Sequence, residues 1–205
     1  MKFKDWLLEM TIDKIEAKEI RKILDNLPST SPDGIAKYIV NAFEKANIEP
    51  IPENATYISG PMTNLPDDNW PAFIHAEKYL SGKVYSPAHP HGTLLKIPKE
   101  TFKWHDYMTE DMYGLLKSNK MVLMPGYSGS SGAKSEIAIA KKLMGIEGKE
   151  LKKVIGEKKY QQFVKDVEKQ YIKDNNEKSF REVIEPMLLA KTETEAAKIV
   201  RPFKS

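Results

Sequence analysis

Met121-Val122-Leu123-Met124, then Pro125-Gly126-Tyr127-Ser128-Gly129-Ser130-Ser131-Gly132, then Ala133-Lys134-Ser135-Glu136-Ile137-Ala138-Ile139-Ala140 is the stretch on which the architecture turns. A short apolar run breaks at a turn of small residues, and an amphipathic helix follows. At about 100° per residue, Ala133, Ile139, Ala140, Leu143 and Met144 share one face, with Lys134, Lys141 and Lys142 opposite. Glu136 falls within the apolar face. A carboxylate there is costly to bury as a charge. It is either a junction acid favoured by the positive helix N-terminus or a functional group.

The same alternation continues upstream. Ala55-Thr56-Tyr57-Ile58-Ser59 reads as a short strand that Gly60-Pro61 breaks. Pro71 opens a helix through Phe73, Ala76 and Leu80, which Gly82 ends. Val84-Tyr85-Ser86 is a second strand, and Trp104 to Lys117 a second helix. Strands alternating with helices predict a three-layer, Rossmann-like (flavodoxin-like) parallel α/β sheet. Such sheets bind ligands beyond the carboxyl ends of their strands. The loops at 60–69 and 125–132 both lie there.

This core spans 54–146. Residues 1–53 read as a helical N-terminal extension, from Phe3, Trp6 and Leu7 to a helix opened by Ser31-Pro32 and running through Ile35, Ile39 and Phe43. Residues 147–205 read as a helical C-terminal extension. Its stripes are Tyr160, Phe163, Val164, Val167 and Tyr171, then Phe180, Val183, Ile184, Met187 and Leu188. Gly145 to Glu150 is polar, so a strand there is expected to be weak or missing.

Composition narrows the function. The 205 residues are 40% hydrophobic and 30% charged, with a formal net charge of +3 and lysines spread along the chain. No dedicated nucleic-acid surface is expected from that pattern. Cysteine is absent, which removes thiolate chemistry and disulfides and fits a cytoplasmic protein. No apolar run approaches the roughly 18 residues of a membrane span. His89-Pro90-His91 has no evident third ligand and reads as loop, so no metal is expected.

A second acid repeats the Glu136 pattern. In the helix from Trp104 the apolar stripe is Trp104, Tyr107, Met108 and Leu115, with Asp111 at its centre. Asp106 and Glu110 project to the opposite, solvated side. Two inward acids on consecutive helices flanking one strand suggest a site; the alternative is a buried pair with Lys or Arg. Trp70 and Trp104 read as core or pocket wall. In the loop, Ser128, Gly129, Ser130 and Gly132 bring hydroxyls and close backbone amides to a helix N-terminus. That is a plausible phosphate cradle; the alternative is a flexible turn. No Walker lysine follows.

Tyr57-Ile58-Ser59-Gly60-Pro61-Met62-Thr63, Trp70-Pro71-Ala72-Phe73, Trp104 to Asp111, Met124-Pro125-Gly126-Tyr127 and Gly132 to Ala138 together resemble the nucleoside 2-deoxyribosyltransferase-like superfamily, in particular its small bacterial and phage branch. The resemblance covers about 54–146. It implies that Glu136 is the nucleophile on the anomeric carbon, that Asp111 assists proton transfer, and that Tyr57 holds the nucleophile. It implies that Ser59 and the Gly60-Pro61-Met62 turn line a nucleotide pocket. The transferases usually carry an aspartate six positions before the nucleophile, where this chain has Ser130. A serine at that place in the related nucleoside 5′-monophosphate N-glycosidases contacts the phosphate. The expectation is therefore hydrolysis of a (deoxy)nucleoside 5′-monophosphate, without a cofactor, by a homodimer or larger homo-oligomer. Base exchange between nucleosides, a non-catalytic nucleotide sensor, and an assembly protein on a retired enzyme fold are the competing readings.

Overall fold

The computed structural model describes residues 20–28, 31–46, 54–88 and 101–201. The apolar positions from Phe3 to Ile15, and the His89-Pro90-His91 segment, lie outside them. The elements are α1 (Pro32–Ala46), β1 (Ala55–Ser59), α2 (Trp70–Tyr79), β2 (Val84–Tyr85), α3 (Trp104–Leu116), β3 (Ser118–Leu123), α4 (Ser131–Met144) and β4 (Gly148–Glu150). Then come α5 (Leu151–Ile155) and α6 (Glu157–Lys173). Next is α7, running through Glu177–Ser179, a π-helical turn at Phe180–Ile184, and Glu185–Leu189. Last is α8 (Glu193–Val200).

All strand pairs are parallel and the order is β2-β1-β3-β4. This is the flavodoxin-like order, an α/β fold with helical additions at both ends, as the alternation of signals predicts. The order reverses between β1 and β3, the place where doubly wound sheets open a crevice. Strand period two divides the core. Tyr57, Met121 and Leu123 face one layer, with Ile35, Ile39, Phe43, Met112, Leu115 and Ile139 from α1, α3 and α4. Ile58, Val122 and Met124 face the other, with Phe73 of α2 and the C-terminal stripes. Tyr160, Phe163, Val167, Tyr171, Phe180, Ile184 and Met187 are all buried there. The C-terminal helices thus form the second covering layer of the chain's own sheet.

Polar ties fasten that layer. Tyr79 Oη donates to Asp166 Oδ2 at 2.6 Å, and Tyr171 Oη to the Pro66 carbonyl at 2.7 Å. Ser31 caps α1, its Oγ accepting from the Gly34 amide at 3.2 Å.

Three expectations need correction. First, a fourth strand exists: Met121, Val122 and Leu123 register with Gly148, Lys149 and Glu150. It is polar because it is an edge strand, half-buried or exposed along its length. Second, Asp106 is buried, at 1% exposure. Its Oδ2 accepts from the Lys103 amide at 2.9 Å, capping α3, and its Oδ1 pairs with Arg21 Nη1 at 2.9 Å. Helical periodicity alone registers neither a cap nor a distant arginine. Third, Trp104 is 50% exposed and belongs to no core. It sits at the first position of α3, before the helix has turned onto the sheet.

Candidate active site

Alternation along β1 puts Tyr57 and Ser59 on the same side, toward α4. Glu136 comes to them from the second turn of that helix. Tyr57 Oη donates to Glu136 Oε1 at 3.0 Å, and Ser59 Oγ donates to Glu136 Oε2 at 2.5 Å. All three are buried, with Glu136 only 4% exposed. Among the described residues no cation hydrogen-bonds to this carboxylate; two hydroxyls hold it instead.

The electrostatics follow from the burial. Desolvation pushes the Glu136 carboxyl up to about 7, against the opposing pull of the Ser59 and Tyr57 hydrogen bonds. Asp111, half-buried on α3, is held well above the usual carboxylate range. Burial is the main cause, then the neighbouring charge of Glu136, then Glu110. Tyr57 is pushed up as well, first by burial and then by Glu136 and Asp111, and so keeps its donor proton. Two acids feel each other, but among the described residues only Glu136 has two hydroxyl donors. Ionisation is therefore biased toward Glu136 and the proton toward Asp111, a division of roles typical of acid–base pairs.

The turn after β1 is built for rigidity. Gly60 lies so close to β3 that a β-carbon there would approach Met124 Cβ to 2.6 Å. Pro61 is buried and Met62 half-buried. Downstream, Asn64, Asp67, Asp68 and Asn69 all have left-handed backbone, with φ of 66°, 49°, 48° and 56°. Such strain persists only where surroundings enforce it, and it clusters at functional sites. Part of the enforcement is visible: fully buried Asn69 donates its side-chain amide to the Pro61 carbonyl at 2.9 Å. Asn69 is a residue the sequence reading passed over. Its only sequence signal is an Asx residue just ahead of Trp70-Pro71.

On the other side of the crevice, Ser130 caps α4, its Oγ accepting from the Ala133 amide at 3.3 Å. The Ser130 hydroxyl proton is not used by that contact. Gly129 is buried, and Ser128 and Gly132 are half-buried. The Ser128 amide is engaged by Glu193 of α8, at 2.8 Å. What remains to meet an anion among the described groups is the Ser128 and Ser130 hydroxyls and the Ser131 and Gly132 amides, which open α4 and have no intrahelical acceptor. Glu193 went unnoticed in the sequence because 65 residues separate it from Ser128. The Thr192-x-x-Glu195 box around it signals only a helix start.

An open cleft of about 370 Å³ between α2 and the end of α6, lined by Trp70, Ile74, His75, Lys78, Gln170 and Asp174 among others, includes neither Glu136 nor Asp111. Among the described residues no cluster of three metal-ligating side chains is found, and no helix is long and apolar enough to cross a membrane.

Residues 54–146 match a family model described as a domain of unknown function (DUF4406). The match runs from the start of β1 to just past α4. It includes Tyr57, Ser59, Asp111 and Glu136, and leaves out β4 and the helices that cover the second face. No curated protein and no solved structure matches the chain.

Proposed function

We propose that this chain is an N-glycosidase that hydrolyses a (deoxy)nucleoside 5′-monophosphate through a covalent glycosyl–Glu136 intermediate, and that its 54–146 region belongs to the nucleoside 2-deoxyribosyltransferase-like group. The observation that carries this is the buried Glu136 carboxylate held by Tyr57 and Ser59, with Asp111 as the acidic neighbour. A binding module has little use for a desolvated carboxylate whose charge is costly and whose partners among the described residues are two neutral hydroxyls. A nucleophile does.

In the first step a Glu136 oxygen attacks the anomeric carbon. The C–N bond breaks, its electron pair passes to the base nitrogen, and the Asp111 proton goes to the base. In the second step water attacks the glycosyl ester, Asp111 takes a proton from that water, and Glu136 departs as carboxylate. Base and sugar phosphate are released with net retention. The phosphate meets the Ser130 hydroxyl and the first turn of α4. Ser130 and Glu136 are six residues apart, about 9 Å along the helix axis, so one ligand can reach both.

We propose a cytoplasmic homodimer. The C-terminal stripes no longer argue for it, being buried within the chain. Support comes from family analogy and from the exposed indole of Trp104.

Product analysis on matched pairs, such as deoxycytidine and its monophosphate, with and without a second free base, tests the reaction. Free base from the monophosphate, independent of added base, is the expected result. Exchange into a new nucleoside would assign the chain to base transfer, and no release from any substrate would overturn the enzymatic reading.

A further inference from the structure

The loop between β3 and α4 has five amides from Gly126 to Ser130, and two different sources satisfy them. Gly129 donates to the Gly126 carbonyl at 2.9 Å, Ser130 to Tyr127 at 3.0 Å, and Tyr127 to Met124 at 3.2 Å. The other two leave the loop. Gly126 donates to Glu193 Oε2 at 2.9 Å, and Ser128 to Glu193 Oε1 at 2.8 Å. One carboxylate, borne on the first turn of α8, closes the amide inventory of the loop that ends in the Ser130 cap.

The rest of α8 packs where that carboxylate requires. Gly126 has φ of +82°, and a β-carbon there would come within 2.6 Å of Val200 Cγ2. Gly129 packs against Ala197 and Val200. Thr192 caps α8, its Oγ1 accepting from the Glu195 amide at 3.3 Å, while the Glu195 carboxylate accepts from the Lys191 amide at 2.9 Å. Glu195 thus organises the start of α8, and Glu193 is free to face the loop.

We propose, resting on the reading that this loop faces the substrate's phosphate, that Glu193 is a positioning residue of the site, whose bidentate grip on the Gly126 and Ser128 amides sets the loop that presents Ser130 and the N-terminus of α4 to the phosphate. The matched family region ends at residue 146, so this assigns a role in the site to a helix outside it. The role is distinct from the packing of α6 and α7, which cover the sheet and make no hydrogen bond to this loop among those described.

Three variants test it: Glu193→Gln, Glu193→Asp and Glu195→Gln. In Glu193→Gln the side-chain NH2 faces an amide donor, so one of the two bonds is lost. KM for the monophosphate should rise about tenfold, the equivalent of one hydrogen bond to a charged group. The kcat on the matched nucleoside should stay within about threefold. Glu193→Asp keeps the charge and should recover part of the loss. Glu195→Gln weakens the same helix start without touching the loop and should leave the ratio between paired substrates unchanged. Equal effects of Glu193→Gln on both substrates, a ratio that shifts toward the monophosphate, or the same shift from Glu195→Gln would overturn the proposal. Amide hydrogen exchange gives a second readout independent of catalysis. Gly126 and Ser128 should exchange faster in Glu193→Gln, with β1 and β3 unchanged. Unchanged exchange at those two amides overturns the proposal even if the enzyme is active. Accelerated exchange in a protein that releases no base upholds the loop contact and removes only the functional reading. If Glu193→Gln fails to fold, Glu193→Asp supplies both readouts.

Discussion

Replacing Tyr57 by Phe removes one of the two donors that favour the ionised form of Glu136. Ser59→Ala removes the other, shorter one. Burial already raises this carboxyl to about 7, so the acid limb of kcat/KM should rise through about pH 7 in the wild type. A donor to the charged form lowers a pKa, and its loss raises it. Both variants should therefore move the acid limb upward and lose about ten- to a hundredfold at neutral pH. A pH–rate profile checks this; an unmoved limb would separate Glu136 from the rate. For Asp111→Asn, the proposed mechanism predicts that the basic limb vanishes, because in it Asp111, held above the usual carboxylate range, gives its proton to the base. Turnover should fall most for the poorest leaving bases. Full activity with lost stability would make Asp111 a packing residue. Glu136 and Asp111 were legible in the sequence because an acid interrupting an apolar stripe is conspicuous. Asp106 was misread by the same logic: its partners are a local amide and an arginine 85 positions upstream, and period counts see neither. Asn69 and Glu193 carry little signal because each acts on the backbone of a loop, which helical and strand periodicity do not register.

At the scale of elements, the legible parts were those with strong periodicity. β1, β3 and α4 carry apolar patterns set by burial on one or both faces. β4 was missed because an edge strand of Gly148, Lys149 and Glu150 has no apolar face to alternate. The C-terminal stripes were legible as amphipathic helices, but their partner was not, since periodicity gives a face and no address. That partner is now visible: Phe163 is fully buried at the meeting of α6, α2 and the sheet, edge-on to Tyr79 with ring centroids 6.1 Å apart. Phe163→Ala should destabilise the protein by about 3–5 kcal/mol, as large-to-small changes do in closed cores. Denaturant unfolding gives the value. A loss below about 1 kcal/mol would mean that the second layer is not part of the cooperative core.

For the whole molecule, the fold brings two features to one switch point. β1 and α4 bury the Glu136 carboxylate between two hydroxyls, and the loop after β3 ends in the Ser130 cap of α4. The helices outside the family-matched region supply a covering layer and, through Glu193, a brace on that loop. A homodimer should appear by light scattering at micromolar concentration, and Trp104→Glu should shift it toward monomer by setting a charge on an exposed apolar position. A wild-type monomer would remove the dimer and leave the single-chain chemistry standing. Glu136→Gln bears on that chemistry itself. Purified wild type and Glu136→Gln are incubated side by side with a panel of nucleoside 5′-monophosphates, and free base is quantified. Loss of a nucleophile should lower release by several orders of magnitude, each factor of ten being about 1.4 kcal/mol of barrier, with the thermal unfolding of the variant still cooperative. Release at the wild-type rate by folded Glu136→Gln would contradict it.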